Sequence, residues 1–432
     1  MAESTGKVLE GVFAIKKPAS LSSAQVLRDL QQAFKDSRTF ASLRAQENRN
    51  RDNHRSKRRR IDKDNVFKMG HGGTLDPMAT GVLIVGIGRG TKHLQGFLDC
   101  TKVYRTVVLF GKSTDTYDIA GKVVASAETG QINQQLVRQK IDDQFRGNIQ
   151  QVPPIYSALK INGMKAYEYA RSGKELPKEL AARSVTISEI KLEKWYDSGA
   201  HNYRWPAEEA PQEEKALFQK LIKSADDTED AGSKAVIPPK SISLDDEGSF
   251  APVSEAPELS RSPKSPVRVN TLSKDETAAL HTHAISGLSE EPADAPAARV
   301  ELTVSSGFYV RSFAHDLGLA CSSYGTMAEL ARTRQGDYTT EEAASEDLIS
   351  AIDYAEIRQS EEVWGPKITK VLENWMEKNL APKAIEDQRQ SFDRRNYQSN
   401  QGHKTRGQGG YRREKSPDND FRKRRNSSSP ER

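Results

Sequence analysis

Two stretches far apart in the chain alternate apolar and polar side chains, and they set the terms for any fold. Residues 185–195 read VTISEIKLEKW and residues 299–305 read RVELTVS, each the period-two signature of a half-buried strand. The interval between them, 208–297, is rich in Pro, Ser, Ala, Asp and Glu and shows no sustained periodicity. The economical reading is a β-hairpin whose turn has grown into a long disordered loop. Closure entropy rises slowly with loop length, so the flanking strands are still expected to pair. Composition supports this. Only 35% of the 432 residues are hydrophobic and the mean hydropathy is −0.73, too polar for the whole chain to bury a core.

The remaining periodic segments predict a single globular unit over 9–380, preceded by a disordered N-terminus (1–8) and followed by a disordered basic tail (381–432). Val12, Ala14 and Ile15 mark a strand ended by Pro18. Ser22 and Ser23 then cap a helix carrying Val26, Leu27, Leu30 and Phe34 at helical spacing. A basic insertion occupies 37–64, where order is expected to fade until Val66. A buried strand or turn is read at 81–88, a strand at 104–110 and a helix at 131–146. A short helix follows at 166–171, then helices at 313–321, 327–332 and 368–376. Helices and strands mix without strict βαβ alternation, so the fold class is α+β.

The net charge of +5 is small but segregated. Residues 44–60 read RAQENRNRDNHRSKRRR, and 389–425 are again dense in Lys and Arg, the electrostatic footprint of a polyanionic partner. Lys57 to Arg60 also fit a nuclear import signal. The only cysteines, Cys100 and Cys321, make no disulfide framework, so a reducing compartment is expected. No apolar run approaches the roughly 20 residues of a membrane span, so no membrane partner is expected. His281 and His283 lack Cys or carboxylate partners at ligand spacing, so no metal is expected.

The densest segment is 70–92, GHGGTLDPMATGVLIVGIGRGTK. It is not a phosphate loop: Gly111-Lys112-Ser113 has Thr106 where the first glycine should stand, and Gly86 to Gly90 is one residue short of the dinucleotide spacing. What remains is Asp76 before Pro77, with glycines on both sides. Proline restricts the residue before it to extended conformations, which holds a carboxylate rigidly at a turn.

The segment resembles the second motif of the TruB family of tRNA pseudouridine synthases, G-H-x-G-x-L-D-P-x-A-x-G-x-L, at Gly70, His71, Gly73, Leu75, Asp76, Pro77, Ala79, Gly81 and Leu83. Further family-like stretches follow in order: Lys17-Pro18 with Ser22-Ser23, KVYR at 102–105, GKSTDTYDIAG at 111–121, an RNA-gripping thumb at 152–175, GFYVRSFAHDL at 307–317 and LARTRQG at 330–336. The likeness covers roughly 9–195 and 298–350. The family's opening glycine is replaced by Ala19-Ser20.

The resemblance implies a pseudouridine synthase fold, with a central mixed, mostly antiparallel sheet flanked by helices. It implies isomerisation of uridine 55 in the T-loop of tRNA, by base flipping, C1′–N1 cleavage and reattachment through C5. In this scheme Asp76 is the catalytic carboxylate, Tyr104 stacks on the flipped uracil and Arg311 pairs with Asp76. Tyr309 and Leu330 line the base pocket, His71 and Asp118 contact the T-loop, and Lys17 of the opening motif joins the substrate-contacting set. The reaction is redox-neutral and retains the uracil, so no cofactor is expected. The expected partner is tRNA, with mRNA stem-loops as further substrates; the expected state is a monomer, and the expected location the nucleus, with the mitochondrion or cytoplasm in addition. Too little apolar sequence follows Met376 for a PUA domain, which favours a stand-alone enzyme over a guide-RNA-dependent rRNA synthase. A third reading is an RNA-folding chaperone.

Overall fold

The computed structural model describes residues 6–53, 66–154, 181–216, 287–342 and 347–380, with 156, 159–165, 168, 169, 177, 180 and 218. Residues Met1–Met376 form a compact unit; the second, Glu377–Arg432, is described only for the last four residues of its helix.

The first strand, β1 (Gly11–Lys17), stops at Pro18, as its sequence predicts. Helix α1 (Ser23–Phe34) begins where Ser22 accepts a hydrogen bond from the Gln25 amide, and it buries Val26, Leu30 and Phe34. Helix α2 (Ala41–Asn53) follows. This corrects the expectation that order fades through the basic insertion: Phe40 and Leu43 are buried, and Phe40 packs its ring on Phe34 at 4.6 Å. The Glu361 carboxylate accepts from the Arg38 and Thr39 amides, satisfying donors just before α2.

The strands that follow are β2 (Met69–His71), β3 (Thr80–Ile87), β4 (Lys102–Phe110), β5 (Lys112–Thr114), β6 (Val123–Ser126) and β7 (Gly147–Gln151). Helices α3 (Leu94–Asp99) and α4 (Gln134–Gln144) lie among them. After the short pair β8 (Lys160–Ile161) and β9 (Met164–Lys165) come β10 (Arg183–Tyr196), β11 (Ala297–Val304) and helix α5 (Val310–Ala320). The chain closes with β12 (Gly325–Gln335), β13 (Tyr338–Thr339), β14 (Ile349–Ser350), β15 (Ile352–Asp353), α6 (Tyr354–Ile357) and α7 (Glu361–Leu380).

One eleven-stranded sheet runs in the order β15-β1-β3-β12-β4-β11-β10-β7, with β2 on β3, β13 on β12 and β14 on β13. Only β1–β15, β3–β12 and β13–β14 are parallel among its pairings, so the expected mixed, mostly antiparallel sheet is present. The expected hairpin across the insertion also forms: Ile190 pairs with Leu302 and Tyr196 with Ala297. The ends of the insertion are ordered. Ala210, Phe218, Ala293 and Ala295 are buried, and Pro206 bridges to Leu288. His281 and His283 lie outside the described residues.

The helix read at 327–332 is instead part of β12. Met, Ala, Glu, Leu and Arg favour a helix locally, but the segment lies between β4 and β3 and is hydrogen-bonded to both. Strand preference follows the packing context more than the residue type. Of the short helix expected at 166–171, Glu168 and Tyr169 are described, and both are helical.

Candidate active site

The turn carrying Asp76 exists because two strands share one edge of β3. β2 pairs with the far end of β3, His71 opposite Val85, while β12 pairs with the near end, Arg332 opposite Gly81. The chain must loop out between them over 72–79. Gly81 permits the close approach of β12: its φ is +102°, and a Cβ there would lie 2.2 Å from the Arg332 carbonyl oxygen.

The residues on either side of Asp76 are pinned. The Leu75 amide donates to Ser23 Oγ at 2.9 Å, and that hydroxyl donates back to the Leu75 carbonyl at 3.1 Å. Beyond Asp76, the Lys17 ammonium donates to the Pro77 carbonyl at 3.0 Å and to those of Pro18 and Leu21. The Ala79 amide closes the turn onto the Asp76 carbonyl. Lys17 is 1% exposed, and burial pulls its pKa from 10.5 to about 8 despite the opposing pull of Asp76. With three backbone carbonyls around it, the ammonium positions the turn.

Arg311 reaches the same carboxylate from α5. Its Nε lies 3.0 Å from Asp76 Oδ2 and 3.7 Å from Asp118 Oδ2. Its Nη atoms donate to the carbonyls of Thr116 and Tyr156. Asp76 keeps a side chain about one-third exposed (32%), whereas Arg311 and Asp118 are nearly covered. A single guanidinium thus joins an open carboxylate to a closed one. Burial, with Asp76 adding, pushes the Asp118 pKa up to about 6, against the pull of Arg311, the Thr116 hydroxyl and the Ala120 amide.

The start of α5 lacks a side-chain cap of its own. Gln151, at the end of β7, supplies the contact: it accepts from the Tyr309 amide at 2.7 Å and donates to the Tyr309 carbonyl at 3.0 Å. Ser312 donates to the next carbonyl, Val152. Tyr309 and Arg311 are therefore fixed to the root of the 152–175 segment.

Tyr104 and Leu330 enter by register. Gly81, Arg332 and Tyr104 stand abreast on β3, β12 and β4, and Leu330 pairs with Thr106. By the two-residue alternation Tyr104 and Leu330 share a face of the sheet, and both are buried. His71 sits half-buried on β2; burial and Arg332 lower its pKa, so it is neutral at physiological pH. Its Nδ1 is buried without a hydrogen-bond partner among the described residues. Asp76, Asp118 and Arg311 are thus brought into direct contact. Lys17 is joined to them through Pro77, and Tyr104, Leu330, His71 and Tyr309 are carried by the elements around them.

Sequence reasoning assigned no role to Arg332 or Gln151. Arg332 is 1% exposed and donates to the carbonyls of Val82 and Gly73, filling the gap between β2 and β12 along the edge of β3. The available signal was its place in the family-like stretch at 330–336. Gln151 carries none. Among the described residues no group of three or more His, Cys, Asp or Glu is placed to hold a metal ion, and no helix is long and apolar enough to cross a membrane.

Comparison with known proteins identifies the family. Residues 58–205 match the N-terminal domain of the TruB family of pseudouridylate synthases. tRNA pseudouridine synthase 4 of Schizosaccharomyces pombe is 36% identical over 339 residues, covering 77% of this chain and 80% of that protein. Its namesake in Saccharomyces cerevisiae is 32% identical over 383 residues, covering 84% and 85%. A pseudouridylate synthase of Mus musculus is 40% identical over 187 residues, covering 43% and 51%. On the strength of the long relatives and the matched domain, the chain belongs to the TruB family of pseudouridine synthases.

Proposed function

We propose that this protein converts a uridine of tRNA to pseudouridine, at position 55 of the T-loop, with Asp76 as the catalytic carboxylate. The observation that carries the reading is the Asp76 turn, pinned on both sides and held by Arg311 with one face left open. The long fungal relatives are named as tRNA pseudouridine synthases, which supports tRNA as the substrate class.

A uridine inside folded RNA must first leave its stack, at a cost of a few kcal/mol. Stacking on Tyr104 returns roughly 1–3 kcal/mol of this. The Asp76 carboxylate then acts at C1′, by attack that forms an ester or by promoting loss of the C2′ proton, and the C1′–N1 bond breaks with its electron pair going to the uracil. The uracil turns within the pocket, C5 bonds to C1′ as the Asp76 ester breaks or the C2′ proton returns, the C5 proton leaves and N1 gains one. No electrons are gained or lost overall, so the chemistry calls for no redox cofactor. Arg311 orients Asp76, while Tyr309 and Leu330 border the base. His71 and Asp118 meet the T-loop. An mRNA stem-loop presenting the same extruded uridine is a further substrate, the enzyme works as a monomer, and Lys57 to Arg60 support residence in the nucleus.

Asp76→Asn should bind a T-loop hairpin within about threefold of wild type and form no pseudouridine, read by tritium release from [5-³H]uridine RNA. Turnover by that variant removes Asp76 from the mechanism. Modification of the bare hairpin by the purified protein separates this reading from a guide-dependent rRNA synthase, and any modification separates it from a chaperone.

A further inference from the structure

The loop bearing Asp118 is held from behind by an aromatic stack that none of the preceding roles uses. Tyr117, a non-glycine residue, sits at φ +62°, in the left-handed region that side chains disfavour. Its ring lies parallel to the His315 imidazole, centroids 4.1 Å apart and planes 9° apart. His315 is one helical turn beyond Arg311 on α5, so the two project from one face of the helix. One bonds Asp118 and the Thr116 carbonyl, and the other stacks on Tyr117 between them.

The other sides of the stack are closed as well. The His315 Nδ1 meets Ser113 Oγ at 3.2 Å, and burial lowers its pKa to about 3, so a neutral ring faces Tyr117. The Tyr117 carbonyl accepts from the Met327 amide, and the Ile119 amide donates to the Met327 carbonyl, stringing the loop along β12. Phe218 lies edge-on to both rings, at 6.5 Å from Tyr117 and 5.9 Å from His315, and packs with Tyr324. Phe218 belongs to the beginning of the long insertion. It is buried, although the sequence around it reads as a polar linker.

We propose that Tyr117 and His315 form a positioning pair that sets the Asp118 carboxylate against Arg311, and that Phe218 locks the pair, making the near end of the insertion part of the active-site wall. The left-handed backbone at Tyr117 is what turns Asp118 inward, and the stack is what holds the backbone there. The proposal rests on Asp118 belonging to the reaction site, and the test separates the two.

The test uses the full chain, a T-loop hairpin labelled with [5-³H]uridine and enzyme in excess, so that one turnover is read. Tyr117→Gly keeps the left-handed backbone accessible but removes the ring, and should slow the single-turnover rate by about 10–100-fold with the hairpin Kd within about threefold. Tyr117→Phe keeps the stack and should stay within about twofold of wild type. Phe218→Ala should slow the step by about 3–10-fold. In an Asp118→Asn background, Tyr117→Gly should add less than about twofold, because its effect passes through that carboxylate. A general loss of folding would instead give the same fold-loss in both backgrounds, and that result overturns the proposal. Wild-type rates in Tyr117→Gly with a slow Asp118→Asn also overturn it while leaving the site intact. A wild-type rate in Asp118→Asn refutes the assignment of Asp118, and the positioning pair with it.

Discussion

Lys17→Met separates what a buried ammonium does for stability from what it does for the site. The side chain is almost fully enclosed, and its pKa has fallen from 10.5 to about 8. At about 1.4 kcal/mol per tenfold change in affinity for the proton, that is about 3 kcal/mol set against the charged form in the folded protein. Methionine has a similar length and no charge, so it removes this penalty. It also leaves the carbonyls of Pro18, Leu21 and Pro77 without their donor, at about 1 kcal/mol each. The two contributions nearly cancel, and urea unfolding at pH 7 should place the variant within about 1 kcal/mol of wild type. The rate should not survive as well. Pro77 follows Asp76 directly, and losing its tether frees the carboxylate to move by a fraction of an ångström. We expect single-turnover conversion to fall about 10–100-fold.

The pH dependence carries its own sign. Between pH 8 and 10.5 the folded wild type has released the Lys17 proton while the unfolded chain still holds it. Wild-type stability relative to Lys17→Met should therefore rise across that window by about 3 kcal/mol, and stay level below pH 8. A difference that is flat from pH 7 to 10 refutes the charge argument. A wild-type rate at pH 7 refutes the tether.

Asp118 gives the opposite slope: with its folded pKa raised to about 6, the folded state holds the extra proton between pH 3.8 and 6. Wild type should thus lose about 3 kcal/mol relative to Asp118→Asn as pH rises through that range, measured by unfolding at pH 4 and 7. Gln151→Ala strips both partners from the Tyr309 backbone; it should cost about 2 kcal/mol of stability and slow conversion more than it weakens hairpin binding. Truncation after Leu380 removes the Arg-rich tail; RNA affinity should fall and the slope of log Kd against log salt should become shallower, and an unchanged slope means the tail does not contact phosphates.

What was legible in the sequence is what local pattern encodes. The hairpin β10–β11 showed through the long interval between its strands because period-two alternation survives any loop inserted at the turn. The N-cap at Ser22 was readable because a serine hydroxyl can reach the amide three residues on without help from elsewhere. The strand at 327–332 was misread for the converse reason: its residues favour helix, and the preference is reversed by hydrogen bonding to β4 and β3, more than two hundred positions upstream. Helix α2 was missed because the basic run overshadows two buried residues at its start, Leu43 and the preceding Phe40, and Phe40 is covered by the distant rings of Phe34 and Trp364. Within the site, the carboxylates and Arg311 were found through motif likeness. Gln151 was not, since its value lies in a backbone 158 residues away.

The remaining question is why a carboxylate stands at this point of the sheet. β3 gives one edge to two partners in succession, and wherever β2 has left and β12 has not yet begun, its backbone groups lose their ladder. Arg332 supplies one missing donor, to the Val82 carbonyl, and continues to Gly73 at the base of the loop. The guanidinium buried to repair that break adds to the lowering of the Lys17 pKa, against the pull of Asp76. Asp76 is carried on that loop, and Arg311 arrives from α5 to complete its surroundings. The break in strand pairing therefore does two things at once. It forces the chain out into a loop, and it brings Arg332 and Lys17 onto the carbonyls of Gly73 and Pro77 on either side of Asp76.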